Sequence, residues 1–340
     1  MNVNYMYSLL AVVVLFLLSY LGVKAVGLEI LFGILFPYLA LITFIGGVIY
    51  RVMDWAKSYV PFCIPTTCGQ QQSLPWITPN KIDNPFTPGA TVVRMFLEVV
   101  FFRSLFRNTR NAIREGKLTH EWEIWLWLAA LAFHYSFLTV IIRHIRLFTE
   151  PVPFVVQLIE TVDSFFRFEV LTDVVQFGLP AVFMSGLVLL AAVTFLFVRR
   201  ILAPHVRYIS LAADYFPLIL IFGIAFSGIF MRYVSKVNIK AAKELTMGLV
   251  TLHPTIPEGI APIFYVHLFF VSVLLAYFPF SKLMHMAGIF LSPTRNLPAN
   301  TRAKRHINPW NYPVEVHTYE EYEDEFREKM IEAGLPVEKE

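Results

Sequence analysis

Two stretches decide how this chain is read: FHYSFLTVIIRHIRLF at 133–148 and VHLFFVSVLLAYFPFSKLMH at 266–285. Both are apolar enough to lie in a bilayer. Each contains two histidines, His134 and His144 ten residues apart and His267 and His285 eighteen apart. On a helix rising ~1.5 Å per residue, the first pair differs in depth by about 15 Å and the second by about 27 Å. A polar side chain in hydrocarbon is costly, and it turns to the bundle interior, where a partner offsets the cost.

Composition places the rest of the chain around these segments. Of 340 residues, 56% are hydrophobic and 16% charged, and the mean hydropathy of +0.59 lies outside the range of a soluble domain. About 20 uncharged residues cross about 30 Å of hydrocarbon. Such runs fall near 5–23, 29–50, 124–147, 178–198, 209–231 and 261–284. The expected fold is all-α, a polytopic membrane helical bundle of about six transmembrane helices. Residues 1–290 form its membrane domain and 291–340 a polar C-terminal docking tail. The first run has no basic start and no small-residue cleavage site, so it reads as a retained helix rather than a signal peptide.

Basic residues near helix ends favour the cytoplasmic side. With loop 51–123, turn 199–208 and the stretch after 281 inside, 17 Lys and Arg up to His306 face the cytoplasm and seven face outward. Both termini are then cytoplasmic. Four of the seven outer residues, Arg232, Lys236, Lys240 and Lys243, cluster in the last outer loop, against the trend.

The inner loop opens with CIPTTCGQQQSLPWITPNKIDNPFTPG, a Pro- and Thr-rich stretch that reads as turns. TVVRMFLEVVFFRSLFRNTRNAIR follows, mixing apolar residues with arginines, and predicts a helix lying in the inner interface. Its basic residues suit anionic lipid rather than nucleic acid. On the outer side, PFVVQLIETVDSFFRFEVLTDVV predicts a second surface-lying helix. HTYEEYEDEFREKMIEAGLP, acidic first, basic later and closed by Gly334, predicts a short helix that complements its own dipole. Cys63 and Cys68 make neither a disulfide framework nor a four-ligand cluster.

Three readings of the four membrane histidines fit the residues: haem ligation, hydrogen-bonded packing between helices, and a proton relay or transition-metal site. If spans three and six run antiparallel, His134 and His285 share the inner leaflet and His144 and His267 the outer. Each pair can then clamp one iron from both sides, which suits electron transfer. Eighteen residues return to one helix face, but ten leave His134 and His144 about 80° apart. Pro279 is expected to bend span six between its two histidines.

The ten and eighteen spacing resembles the di-haem gamma subunit of respiratory nitrate reductase over roughly residues 120–290. A resemblance along nearly the whole chain rests on PFCIPTTCGQQQSLPWI, FRSLFRN, FHYSFL, RYISLAADYFPL, VHLFFVSVLLAYFPFSKLMHM, FLSPTRN and HINPWNYPVEVHTYEEYEDEFREKM. These phrases are similar to the DsrM family, the membrane cytochrome b subunits of dissimilatory sulfite-reduction-associated complexes. That resemblance implies the cytoplasmic membrane of a prokaryote, two haem b groups and oxidation of menaquinol. His144 and His267 would ligate the outer iron, and His134 and His285 the inner one. It also implies a cytoplasmic iron-sulfur subunit resembling heterodisulfide reductase, a second quinone-interacting membrane subunit, an outer ferredoxin-like subunit and a multihaem cytochrome c.

Several charged residues then acquire candidate roles. Arg143 and Arg146, next to His144, suit a haem propionate or a quinone pocket, or simply snorkel to the interface. Arg232 and Lys236 are secondary candidates for the same roles. Asp214 reads first as a cap of its own helix and second as a proton relay. A haem-free anchor of a redox complex and a transporter with a histidine relay remain alternative functions.

Overall fold

A computed structural model describes residues 3–58, 69–165, 168–171, 176–179, 182–304 and 317–338. Six of its helical segments are long and apolar enough to cross a membrane. The first is α1 (Asn4–Val26), closed by Gly27 in the left-handed conformation with its N–H returned to the Gly22 and Val23 carbonyls. The second runs through a π-helical turn, Leu31–Leu35, into α2 (Phe36–Ala56). After the inner loop come α3 (Pro88–Phe101), α4 (Arg103–Phe106) and a hairpin of β1 (Thr109–Arg114) and β2 (Lys117–Trp122).

The third span is α5 (Ile124–His144), extended by a 3-10 turn to Leu147. On the surface beyond it lie α6 (Phe154–Asp163) and two small ladders. In these, β3 (Ser164–Phe165) pairs with β6 (Val182–Phe183) and β4 (Phe168–Leu171) with β5 (Gln176–Leu179). The chain continues through α7 (Met184–Leu202), α8 (Pro204–Ile209), α9 (Ala212–Tyr233), α10 (Ile239–Val250), α11 (Pro262–Tyr277), α12 (His285–Leu291) and α13 (Tyr319–Glu332). Spans four, five and six are thus Met184–Leu202, Ala212–Tyr233 and Pro262–Phe280.

The spans pack in series, α5 on α7, α7 on α9, and α9 on both α1 and α11, with α2 against the far side of α11. Val12, Leu189, Val193, Tyr215, Leu220, Val266 and Phe270 form the larger core; Val23, Phe32, Leu245, Phe264, Tyr265 and Phe269 form the second. Outward faces stay apolar, with Leu10, Ile30, Ile42 and Leu138 more than half exposed, as lipid contact requires. The chain is therefore a multi-pass membrane protein. The two histidine-bearing helices α5 and α11 lie across from one another without close backbone packing.

Three expectations are corrected. Pro279 does not bend span six; it ends it. α11 stops at Tyr277, Phe278–Phe280 is a 3-10 turn, and Ser281 is extended before a second 3-10 turn, Lys282–Met284. A proline in a helix removes one backbone hydrogen bond and clashes with the preceding turn, and Ser281 then accepts from the Leu283 N–H at 3.2 Å. The helix expected over 91–114 ends at Phe101, because Phe102 is left-handed at φ 51°, and 109–122 is the hairpin. Its turn residues Glu115 and Gly116 both have positive φ, 51° and 74°, the geometry of a two-residue hairpin turn. The outer surface helix is cut short at Asp163, where the chain turns into strands.

The predicted C-terminal helix is present over Tyr319–Glu332. Thr318 accepts from the Glu321 N–H, Glu321 accepts from the Thr318 N–H, and Gly334 closes it at φ 67°. Cys63, Cys68, Arg167, Asp173 and His306 lie outside the described residues.

Candidate functional site

The break after Tyr277 positions the candidate site. Span six is interrupted between its two histidines, and α12 starts with His285, whose ring meets that of His134 on α5. The rings of His134 and His285 have centroids 5.9 Å apart with planes at 82°. Those of His144 and His267 are 6.3 Å apart and nearly parallel, at 15°. Two imidazoles bonded to one metal from opposite sides, at about 2 Å per bond, hold their centroids about 6 Å apart. Both pairs have that separation.

Hydrogen bonding sets which nitrogen of each ring is available. His134 Nδ1 lies 2.8 Å from the Ala130 carbonyl, His144 Nδ1 2.7 Å from that of Val140, and His285 Nδ1 2.8 Å from that of Lys282. A carbonyl only accepts, so each Nδ1 carries the proton and each Nε2 keeps a free lone pair pointing away from its own backbone. His267 Nδ1 lies 2.9 Å from Ser227 Oγ, whose own hydroxyl donates to the Ile224 carbonyl. Ser227 therefore accepts from His267. Four imidazoles with oriented Nδ1–H groups form the donor set that a metal-ligating histidine needs. All four also retain accessible surface inside or at the ends of apolar spans, unlike histidines packed between helices.

Neighbours hold the rings in place. Phe102, left-handed between α3 and α4, meets His134 edge-on at 4.9 Å between centroids, and Phe133 does so at 5.1 Å. The end of α3 is tied to α5 by Tyr135 Oη donating to the Val100 carbonyl and Trp127 Nε1 to that of Phe101, both at 2.8 Å. On α9, Gly228 leaves room for His267, since a Cβ there would sit 3.3 Å from His267 Cε1.

At the His144 end, Arg143 donates to Asp163 at 2.7 Å and to Ser185 Oγ at 3.0 Å, with only 13% and 8% of the Arg143 and Asp163 side chains exposed. Arg146 pairs with Glu160 at 2.8 Å. Both arginines are thus balanced by acids of α6. The Phe183 ring is flanked by two guanidinium groups, Arg143 at 3.3 Å and Arg232 at 4.0 Å from its centroid. Asp214, at the other end, accepts from the Leu211 N–H at 3.0 Å and from Lys282 Nζ at 2.6 Å, which is the capping role. Beside His285 lies an open cleft of about 400 Å³, lined by Arg51, Trp55, Tyr277, Ser281 and Lys282 among others.

Outside the membrane, a knot of charge fastens the loop that supplies Phe102. Asp83 accepts from Arg103 and Arg107, and Arg94 donates to the Asp83 carbonyl. Burial pushes the Asp83 carboxyl up, but the hydrogen bonds and charges of Arg107 and Arg103 more than reverse it, so its pKa lies below the ordinary 3.8. Glu98 accepts from Ser104 through both backbone N–H and hydroxyl, at 3.0 and 2.6 Å.

Sequence reasoning named the four histidines and Arg143, Arg146 and Arg232, but not Ser227, Gly228, Phe102 or Phe183. One signal was legible: Ser227-Gly228 is a small-residue notch in an otherwise bulky apolar span. Phe102 and Phe183 give no sequence signal, since phenylalanine is common throughout the chain.

Comparison with known proteins shows the family to which the chain belongs. Residues 95–297 match the family model described as nitrate reductase gamma subunit. An Archaeoglobus fulgidus protein is 45% identical over 84% of this chain and 85% of its own length. One from Archaeoglobus profundus is 42% identical over 81% of each. Both are named "Hdr-like menaquinol oxidoreductase cytochrome b-like subunit".

Proposed function

Because the chain belongs to the nitrate reductase gamma subunit family, we propose that it is a di-haem cytochrome b that oxidises menaquinol in the membrane and passes the electrons to a soluble redox partner. The observation that supports this most directly is the pair of facing imidazoles at each end of the bundle, 5.9 and 6.3 Å apart. His144 and His267 would hold the outer haem b, and His134 and His285 the inner one. When bound, the two haems supply one-electron carriers at two depths of the membrane. A histidine on each side of each site would suit haems that carry electrons rather than activate oxygen.

The chain's own residues do the positioning. The Ala130, Val140 and Lys282 carbonyls and Ser227 Oγ fix the tautomer and direction of each ring. Phe102 and Phe133 restrict rotation of His134. Arg143 and Arg146, paired with Asp163 and Glu160, secure the cover of the outer end.

The loop count of basic residues supports an orientation in a prokaryotic cytoplasmic membrane with both termini inside. His285 then lies beside the cytoplasmic face, where the partner is an iron-sulfur subunit resembling heterodisulfide reductase. The names of the archaeal relatives, "Hdr-like" and "menaquinol oxidoreductase", support that pairing. α13 and the rest of 291–340 serve as its docking tail. Within a complex of the sulfite-reduction type, the further neighbours are a second quinone-interacting membrane subunit, an outer ferredoxin-like subunit and a multihaem cytochrome c.

Reduced-minus-oxidised visible spectra with a pyridine haemochrome assay test the reading on the purified complex. Two b haems are expected. Alanine at His134 or His285 removes the inner one, and alanine at His144 or His267 the outer. Absence of haem b, or four variants with the parent spectrum, overturns it.

A further inference from the structure

Arg232 stands out among the charged groups near the paired histidines. It lies in the last turn of α9, four residues after Gly228, whose backbone the His267 ring approaches. Four residues return to nearly the same helix face about 6 Å further along. Arg232 therefore sits about one turn outward of the His267 imidazole. Its guanidinium lies 4.0 Å from the centroid of the Phe183 ring, against which Arg143 also packs at 3.3 Å.

The two arginines differ in what balances them. Arg143 has Asp163 and Ser185. Among the described residues no acidic side chain pairs with Arg232; it is half-buried, and its Nε, like that of Arg143, is buried without a hydrogen-bond partner. A cation removed from water without a counter-charge is strongly disfavoured. A second guanidinium against the same ring adds repulsion. Among the described residues, the outward edge of the slot between His144 and His267 is short of one anion.

We propose that Arg232 supplies the direct, charge-bearing contact to a propionate carboxylate of the outer haem, with Arg143 as a positioning residue that Asp163 neutralises. The assignment deepens the di-haem reading and rests on it. It reverses the order suggested by sequence, in which Arg143 came first. A guanidinium paired with the propionate offsets negative charge near the iron, so it favours the reduced state and raises the potential of that haem.

The test is an optical redox titration of the purified complex carrying R232Q, with R232K and the parent alongside. R232Q is expected to shift the outer haem's one-electron equilibrium about tenfold towards oxidised, about 59 mV lower. The inner haem should not move. R232K retains the charge but loses the planar fork, so it should keep the potential near that of the parent and move the propionate bending bands in resonance Raman spectra. If R232Q fails to assemble, R232K alone decides: unchanged Raman bands overturn the proposal. Unchanged potentials in an assembled R232Q also overturn it, and leave Arg232 to a lipid phosphate. A parent complex without haem b would instead remove the underlying di-haem reading.

Discussion

His267 is one imidazole held by two small residues. Ser227 accepts its Nδ1–H and Gly228 gives its ring space, and both lie on a neighbouring helix rather than on its own. Losing such an outer hydrogen bond typically costs 10–100-fold in metal affinity. Ser227→Ala is therefore expected to weaken retention of the outer haem by about tenfold, read as the loss of its visible absorbance through a dilution and wash series. The inner haem serves as the internal control. The ring planes allow a spectroscopic check as well. Near-parallel imidazoles at 15° and near-perpendicular ones at 82° split the iron d orbitals differently. The ferric complex should show two distinct low-spin EPR signals, a rhombic one lost with His144→Ala and a highly anisotropic one lost with His134→Ala. A single shared signal would contradict the geometry.

Asp83 poses the residue-scale question for the inner loop. Its folded pKa is depressed, so the stability it contributes is fully present above its ordinary value of 3.8 and is lost as pH falls through the lower folded value. Acidification between neutral pH and about 4 should leave the loop fastened. Asp83→Asn removes the charge at every pH and leaves the partly exposed Arg103 and Arg107 facing a neutral group, a loss of about 1–2 kcal/mol. Limited proteolysis within 69–107 at neutral pH measures it. A digestion pattern matching the parent would show that the knot does not hold the loop.

At the scale of elements, the broken end of span six is the feature that matters. The turn at Phe278–Phe280 fits against α2 because Gly47 has no side chain; a Cβ there would lie 2.7 Å from Pro279 Cβ. The proline ring cannot move aside without shifting the turn. Gly47→Ala is expected to destabilise the protein by about 1–3 kcal/mol, as overpacking does, and to displace His285 from His134. Thermal unfolding in detergent and the inner-haem spectrum report the two effects. An unchanged melting temperature with intact spectra would mean that α2 yields instead. Hairpin 109–122 belongs to the same scale. Its charged strands gave an amphipathic helical pattern in sequence, but the Glu115-Gly116 turn and the pairing of Arg110 with Glu121 at 2.6 Å won over it. Local chemistry decided that segment more strongly than periodicity.

For the whole molecule, the series α5, α7, α9, α11 opens a slot that two side-by-side helices would not leave. The fold thereby brings together histidines 123 and 151 residues apart in sequence. Orientation is tested on the same scale. Single cysteines at Glu320 and at Lys240, in a variant with Cys63 and Cys68 changed to serine, should be labelled by an impermeant maleimide from opposite sides. With the proposed topology, intact cells label the Lys240 position and leave the Glu320 position protected; the reverse result would invert the assignment of inner and outer haem. Removing residues 317–340 should leave the haem spectra intact while abolishing co-purification of the soluble iron-sulfur partner.

The sequence by itself determined the class of protein, the six spans to within a few residues at most of their ends, and the four histidines as the groups to explain. Hydropathy and helix rise act along the chain and need no knowledge of neighbours. It also contained the capped C-terminal helix, because caps are short-range signals. Only the tertiary structure decided how span six ends, how the histidine rings face, which residues steady them, and that Asp163 pairs with Arg143. Those outcomes depend on contacts between segments far apart in sequence, where a side chain's direction follows from packing. Ser227 and Phe183 become meaningful only once α9 and the 182–183 strand are folded against α11 and α5.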